Sequence, residues 1–207
     1  GKLKILRVAE NQLTGSLPAT IADAELLEEI DMKDNSLGGS IPAGIGLLEQ
    51  LGILSLANNR FTSLPTSFYN AKSLTYLDLA HNELDGNLPN HAAAEDGIDI
   101  QPLLPESLKE IYLDHNRLDG RIPGVVFGDL ENLKVLTLNN NNFEGRIPPT
   151  FGDLKMLDKL ILYRNNFRGV VSDDICDLKM SELETDCATM IYNKDYMVEC
   201  DCCTKCH

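Results

Sequence analysis

The chain repeats one pattern of leucine-type residues along most of its length. Copies of the form LxxLxLxxNxL begin 23 to 25 residues apart, except for one interval of 34 residues. A period of this length predicts a solenoid, because each copy is a small unit that can bury its apolar side chains only against neighbouring copies. The first leucines of the seven clear copies are Leu3, Leu27, Leu51, Leu74, Leu108, Leu133 and Leu157. An eighth, degenerate copy begins at Met180.

Each of the seven clear copies begins with a predicted short strand, which is followed by an asparagine at a fixed position. Leu54 and Leu56 are two residues apart and are both expected to point inward, which is the period of a strand. The copies are therefore expected to stack as a parallel sheet. A buried amide costs about 1–3 kcal/mol unless it is hydrogen-bonded. We therefore expect a structural ladder of asparagines that bond backbone groups, made of Asn11, Asn35, Asn59, Asn82, Asn116, Asn141 and Asn165.

Most copies continue after the asparagine as xGxIP. The glycine allows backbone angles that a side chain would oppose, and the proline sets φ for a turn on the opposite, convex side. The third copy, at 61–65, lacks the glycine and is one residue short, so its convex segment should differ locally. Phe61, Phe143 and Phe167 replace the leucine after the asparagine, and we expect them to pack in the interior as part of a phenylalanine spine.

The repeats divide the chain into two parts. Residues 1–172 hold about seven repeats, with an insertion near 90–105 that we interpret as a surface loop, and 173–207 hold the degenerate last repeat and a cysteine-rich cap. The first copy has no cap of its own, although terminal repeats normally shield their apolar surface. We therefore expect further residues or a partner to cover Leu3, Leu6 and Val8.

All six cysteines lie in the last part of the chain. An even number packed into one end predicts a disulfide framework made in an oxidising compartment, although six cysteines allow 15 pairings. Zinc binding by the last four with His207 is the alternative, but it would leave two cysteines unexplained. The six are Cys176, Cys187, Cys200, Cys202, Cys203 and Cys206.

The formal net charge of −14 restricts the partners of the chain. Nucleic acids and anionic membranes attract basic surfaces, so neither is an expected partner, whereas basic ligands are compatible. No apolar run has the length of a membrane-spanning helix, so no membrane insertion is expected in this segment.

The pattern LxxLxLxxNxLxGxIP, as in residues 136–148, resembles the plant-specific class of leucine-rich repeats. That class includes receptor-kinase ectodomains and polygalacturonase-inhibiting proteins. The resemblance implies an α/β solenoid, a right-handed superhelix with a parallel sheet on the concave face and short 3-10 or irregular segments on the convex face. The cysteine-rich end is similar to the caps of secreted leucine-rich repeat proteins of diatoms and related algae. Together these resemblances imply an extracellular, secreted or cell-surface location, and no catalytic residues.

The exposed columns of the concave sheet supply the candidate ligand-binding site. Tyrosines beside carboxylates suit protein or carbohydrate recognition, because aromatic anchors carry much of the binding energy of an interface. In the central copies these columns and the adjoining turns contain Tyr76, Asp78, His81, Tyr112, Asp114 and His115, with Tyr163 two copies further on.

The same residue types are also compatible with two other chemistries. His81 and His115 occupy equivalent positions in adjacent copies, and with Asp114 they have the side chains of a transition-metal site or of an acid–base pair. The sequences that contain the two histidines, AHN and DHN, are also common at this position in repeats of this class. No serine or cysteine nucleophile accompanies them. The sequence therefore favours no catalysis, no metal and no cofactor.

The sequence as a whole predicts an extracellular recognition module that binds a protein, peptide or polysaccharide on its concave face. The alternative is a structural or adhesive protein of the cell wall or extracellular space. In that case copies would assemble through the uncapped amino-terminal end into a fibre.

Overall fold

The computed structural model describes residues 2–65, 67–88, 104–187 and 197–207. Within those ranges the chain is a single stack of coils, as the repeat predicts. Most of the insertion expected near 90–105 lies outside the described residues, so its interpretation as a surface loop stays a prediction. Of the helices that are described, none has both the length and the hydrophobicity needed to cross a bilayer.

A parallel sheet runs along one side of the stack. Its register is regular: Leu54 pairs with Ile30 on one side and with Leu77 on the other, and all three side chains point into the core. The predicted parallel sheet is therefore confirmed. In the described parts of the chain it has nine strands, which are Ile5–Arg7, Glu29–Asp31, Ile53–Ser55, Tyr76–Asp78, Glu110–Tyr112, Val135–Thr137, Lys159–Ile161, Glu182–Thr185 and Lys205–Cys206.

A second layer of short parallel strands follows the asparagine turns, and the sequence did not indicate it. This layer is interrupted after the third copy, in which the segment that contains Phe61 is one residue short. The pairing of the second copy with the third also shifts register, between Gly39 and Ser40. The predicted local difference is therefore present. One group of strands is Thr14–Ser16, Ser36–Ser40 and Arg60–Ser63, and the other is Asp85–Asn87, Arg117–Arg121, Asn142–Gly145 and Asn166–Phe167.

Single helical turns form the convex side. Four of them start directly after a proline with extended backbone, whose ring fixes φ at the entrance to the turn. These prolines are Pro18, Pro42, Pro123 and Pro148. In the described residues the 3-10 turns are Ala19–Asp23, Ala43–Leu47, Phe68–Asn70 and Pro149–Asp153, and the short α-helices are Gly124–Phe127 and Asp173–Cys176.

The core is one continuous apolar cluster between the concave sheet and the convex turns. Phe61, Phe143 and Phe167 are buried as expected, and the rings of Phe143 and Phe167 stack with centroids 6.3 Å apart. A second set of buried aromatic residues on the convex turns was missed. Phe127 and Phe151 from adjacent coils meet edge to face at 5.7 Å.

The asparagine ladder has the hydrogen bonds that its chemistry requires. The amide of Asn59 donates to the carbonyl of Met32 in the preceding coil at 2.9 Å and to that of Leu56 in its own coil at 3.1 Å. Its oxygen accepts the backbone N–H of Leu37 at 3.0 Å. One side chain therefore ties together two successive coils at the point where the chain leaves the sheet.

The carboxy-terminal cap is closed by disulfides, which confirms the predicted framework. The pairs are Cys176–Cys202, Cys187–Cys206 and Cys200–Cys203. Gly169–Val170 and Val198–Glu199 form a small parallel sheet beside them, and Lys205–Cys206 adds the last strand to the concave sheet. The degenerate eighth copy is part of the stack, with Leu183 and Thr185 buried.

Candidate functional site

The concave sheet aligns the candidate residues of neighbouring coils. Tyr76 lies beside Glu110, and Asp78 lies beside Tyr112, on adjacent strands. Because the strands are about 4.8 Å apart, side chains in one column touch those of the next coil. Asp114 and the two histidines follow the ends of these strands, so they lie at the same edge of the concave sheet.

Part of the expected exposed column is in fact covered. Ser55, Thr137 and Ile161 are each no more than 6% exposed. Each of these residues stands beside a longer side chain on a neighbouring strand, which covers it. The neighbours in question are Asp78 beside Ser55, Tyr112 beside Thr137 and Glu184 beside Ile161.

Tyr76 and Tyr112 form the centre of the site. Their ring centroids are 5.6 Å apart and the planes are inclined by 46°, an arrangement typical of favourable aromatic pairs. The hydroxyl of Tyr112 donates to Glu110 at 2.8 Å. Burial and the charge of Asp78 raise the pKa of Tyr76 to about 12, and burial and the hydrogen bond to Glu110 raise the pKa of Tyr112 as well. Both phenols are therefore neutral at physiological pH.

Asp78 lies beside the tyrosine pair, with Oδ2 3.4 Å from the hydroxyl of Tyr76. Its carboxylate accepts the backbone N–H of Ala80 at 3.1 Å. Burial raises the pKa of this carboxyl, and the nearby Asp114 carboxylate raises it further, although the hydrogen bond from Ala80 acts in the opposite direction. The structure thus keeps a carboxylate in a position where its charge is costly, which is a common property of binding sites.

His81 and His115 stack beside Asp114 at the edge of the same patch. The imidazole centroids are 3.9 Å apart with planes inclined by 15°. Nδ1 of His115 lies 2.8 Å from Oδ2 of Asp114, and the other oxygen of this carboxylate accepts the hydroxyl of Thr137. The expectation that the two histidines occupy equivalent positions is confirmed.

Tyr163 lies apart from these residues. Its ring stacks on His207 at 3.8 Å, and His207 Nε2 is 2.7 Å from Glu184. The sequence grouped Tyr163 with the other tyrosines, but its position in the repeat corresponds to that of Asp114 rather than to those of Tyr76 and Tyr112. The sequence did not indicate that His207 lies beside Tyr163, because this contact forms only when the last strand returns to the concave sheet.

The charges near the two ends of the concave face are largely paired within the protein. Arg7 and Glu29 form a two-point ion pair that lowers the pKa of the glutamate, and Lys159 pairs with Glu182 at 2.7 Å. In the central coils, by contrast, the described residues give Asp78 and Glu110 no ion pair within 4.0 Å. The centre of the face therefore carries carboxylates beside its two aromatic rings that have no direct ion pair, although the charge of Lys33 acts on Asp78 from a greater distance.

Comparison with known proteins identifies the repeat. Two family models, both described as leucine-rich repeat, match residues 106–167 and residues 26–48 and 73–93. No curated protein sequence matches the chain.

Solved structures of plant receptor ectodomains have the same fold. The plant peptide hormone receptor RGFR1 in complex with RGF2 is 29% identical, with a TM-score of 0.76 over 88% of this chain. The ectodomain of the Arabidopsis thaliana receptor kinase GASSHO1/SCHENGEN3, in complex with CASPARIAN STRIP INTEGRITY FACTOR 2, is also 29% identical, with a TM-score of 0.74 over 89%. A TDR receptor is 29% identical, with a TM-score of 0.78 over 96%. The chain spans 27%, 21% and 34% of those three chains, respectively.

Proposed function

We propose that this chain, which belongs to the leucine-rich repeat proteins, is a non-catalytic extracellular recognition module that binds a peptide or a peptide segment of a protein. The observation that carries the proposal is the pair of Tyr76 and Tyr112 on the concave face. Two of the similar receptor structures are complexes, one of them named for a peptide hormone receptor, which supports a peptide as the ligand class.

The scaffold suits recognition because it holds the anchors before a ligand arrives. Tyr76 and Tyr112 stand on strands that are paired on both sides and lie above a buried leucine and isoleucine row. Binding therefore costs little ordering of the protein, and rigid aromatic side chains give large contact areas.

The electrostatics of the face favour a ligand with a basic side chain. Asp78 and Glu110 lie beside the tyrosine pair without an ion pair within 4.0 Å among the described residues, and the whole chain has a net charge of −14. A lysine or arginine placed over the rings would meet both the carboxylates and the aromatic faces.

The disulfide-closed cap supports an extracellular location. Disulfides persist in oxidising compartments and are rare where glutathione keeps thiols reduced. Each cysteine of the chain takes part in such a bond.

Capture from the native extracellular fraction tests the proposal. The immobilised chain and its Tyr76→Ala/Tyr112→Ala double variant would be exposed to the same fraction, and the bound material would be quantified by mass spectrometry. We expect a peptide or protein that the unmodified chain retains and the double variant loses.

A matched variant controls for the loss of apolar surface. Leu47 and Met156 are 66% and 53% exposed and lie outside the strands of the concave sheet, so Leu47→Ala/Met156→Ala removes two exposed apolar side chains away from the site. This variant should retain the ligand. Identical capture profiles for the chain and the tyrosine variant would contradict the proposal.

A further inference from the structure

We propose that His81 and His115 form a binding site for a divalent transition-metal ion, with Zn²⁺ as the ion of first choice and Asp114 as a positioning residue. The site adjoins the tyrosine pair but does not depend on peptide recognition. It reverses the interpretation that the sequence favoured, because the structure adds the contact between the Asp114 carboxylate and Nδ1 of His115, which the repeat pattern does not encode.

The repeat holds the two imidazoles in matching positions. His81 and His115 have the same left-handed backbone conformation, with φ of 54° at each. The backbone N–H of His81 donates to the carbonyl of Asp114 at 2.9 Å, and that of His115 donates to Asn139 at 3.0 Å. Both rings therefore project from fixed backbone in the same direction, and one ligand-type atom each from His81, His115 and Asp114 lies within 4.8 Å of the other two. Because the rings are stacked with planes inclined by only 15°, the exposed His81 ring has to turn about its side-chain bonds before both imidazoles can direct a lone pair at one ion.

Asp114 determines which ring nitrogen of His115 carries the proton. A carboxylate can only accept a hydrogen bond, so the 2.8 Å contact between Oδ2 and Nδ1 places the proton of the neutral imidazole on Nδ1. Nε2 then keeps its lone pair for a metal ion. The hydroxyl of Thr137 holds the other carboxylate oxygen in place. Metal-ligating histidines usually donate their other ring N–H to a carboxylate, a backbone carbonyl or a water, which fixes the ring and increases the basicity of the ligand.

The surroundings favour a cation of the imidazole-binding type. Imidazole nitrogen suits Zn²⁺, Cu²⁺ and Ni²⁺, whereas Mg²⁺ and Ca²⁺ require more oxygen ligands than this cluster offers. Asp78 adds negative charge close to Asp114. His81 is exposed and the His115 side chain is 38% exposed, so water or a ligand group can complete the coordination shell.

Titration of the untagged chain with zinc chloride, followed by calorimetry in a buffer that does not bind metals, tests the proposal. We expect saturable binding of one ion per chain. His81→Ala and His115→Ala should each weaken binding by about tenfold or more, since even loss of an outer carboxylate costs about 10- to 100-fold. The other two histidines provide controls, and His91→Ala and His207→Ala should bind zinc as the unmodified chain does.

Asp114→Asn tests the positioning role. It should weaken zinc binding by about tenfold, and it should also shift the visible absorption bands of the Co²⁺-loaded chain. A merely structural role for Asp114 would not move those bands. Circular dichroism of each variant would show that it is folded.

Three results would overturn the proposal. They are the absence of saturable zinc binding by the unmodified chain, unchanged affinity in both the His81→Ala and His115→Ala variants, and loss of binding in the His91→Ala or His207→Ala variant.

Discussion

The side-chain oxygen of Asn82 accepts the backbone N–H of Phe61 across the boundary between two coils, at 2.9 Å. The amide nitrogen of Asn82 donates to the carbonyls of Leu56 and Leu79 at 3.0 and 3.1 Å. This one side chain thus satisfies buried backbone groups of two coils, which explains why each of the seven clear copies places an asparagine there.

Asn82→Ala should lower the free energy of unfolding substantially. Each buried backbone group that loses its partner costs about 1–3 kcal/mol, so we expect a total loss at the upper end of that range or beyond. Urea denaturation followed by circular dichroism measures it. Asn142→Ala is the matched control, because Asn142 is exposed and makes one long hydrogen bond of 3.4 Å. Equal losses in the two variants would contradict the ladder.

The disulfides of the cap should contribute unequally to stability. Cys176–Cys202 closes a separation of 26 residues and Cys200–Cys203 one of 3. A loop-entropy model gives stabilisation of about 3.5 kcal/mol for the longer loop and about 1.6 kcal/mol for the shorter. Thermal unfolding of the two paired cysteine-to-serine variants should show the larger decrease for Cys176→Ser/Cys202→Ser, and the reverse order would contradict this prediction.

Gly46 marks a close approach between neighbouring convex turns. A Cβ at this position would meet the carbonyl oxygen of Ser67, whereas a Cβ at Gly52 would have its nearest neighbours at 3.7 Å. Gly46→Ala should therefore destabilise the chain by about 1–3 kcal/mol, as expected for overpacking. Gly52→Ala should cost clearly less in the same urea titration. An equal or larger cost at Gly52 would show that the coils are not spaced as described.

Asp78 should lower stability near neutral pH. Burial raises the pKa of its carboxyl in the folded chain. A group whose folded pKa is raised contributes stability below its unfolded pKa, and that contribution is lost as the pH rises through the folded pKa. Asp78→Asn should therefore raise the urea midpoint near neutral pH, and the difference should vanish below about pH 4, the ordinary range of an aspartate.

Asp158→Asn provides a control of opposite sign. Hydrogen bonds from the side chain and backbone of Ser181 lower the pKa of Asp158. Its contribution is therefore present above the unfolded pKa and is lost as the pH falls through the folded pKa. This variant should be less stable near neutral pH. A decrease for Asp78→Asn under the same conditions would contradict the account of the site.

The sequence predicted those features that follow from the repeat itself. The alignment of Tyr76 with Glu110 and of His81 with His115 needs only the copy number of each residue, because equivalent positions become neighbours once the coils stack. The burial of Asn59 and the positive φ of Gly120 follow in the same way.

Features that depend on side-chain size or on the end of the chain could not be predicted. The burial of Thr137 depends on how much of it the neighbouring Tyr112 covers, which no repeat pattern encodes. The contact between Tyr163 and His207 arises where the repeat has ended, and the pairing of Cys176 with Cys202 depends on the path of the chain through the cap.

The measurement that most directly tests the recognition site is the Kd of the captured ligand, determined by calorimetry. Loss of two central aromatic anchors should cost about 2 kcal/mol or more, which corresponds to about a 30-fold increase in Kd. We expect this increase for Tyr76→Ala/Tyr112→Ala and none for Leu47→Ala/Met156→Ala. An unchanged Kd in the tyrosine variant would show that the ligand binds elsewhere and would contradict the proposed site.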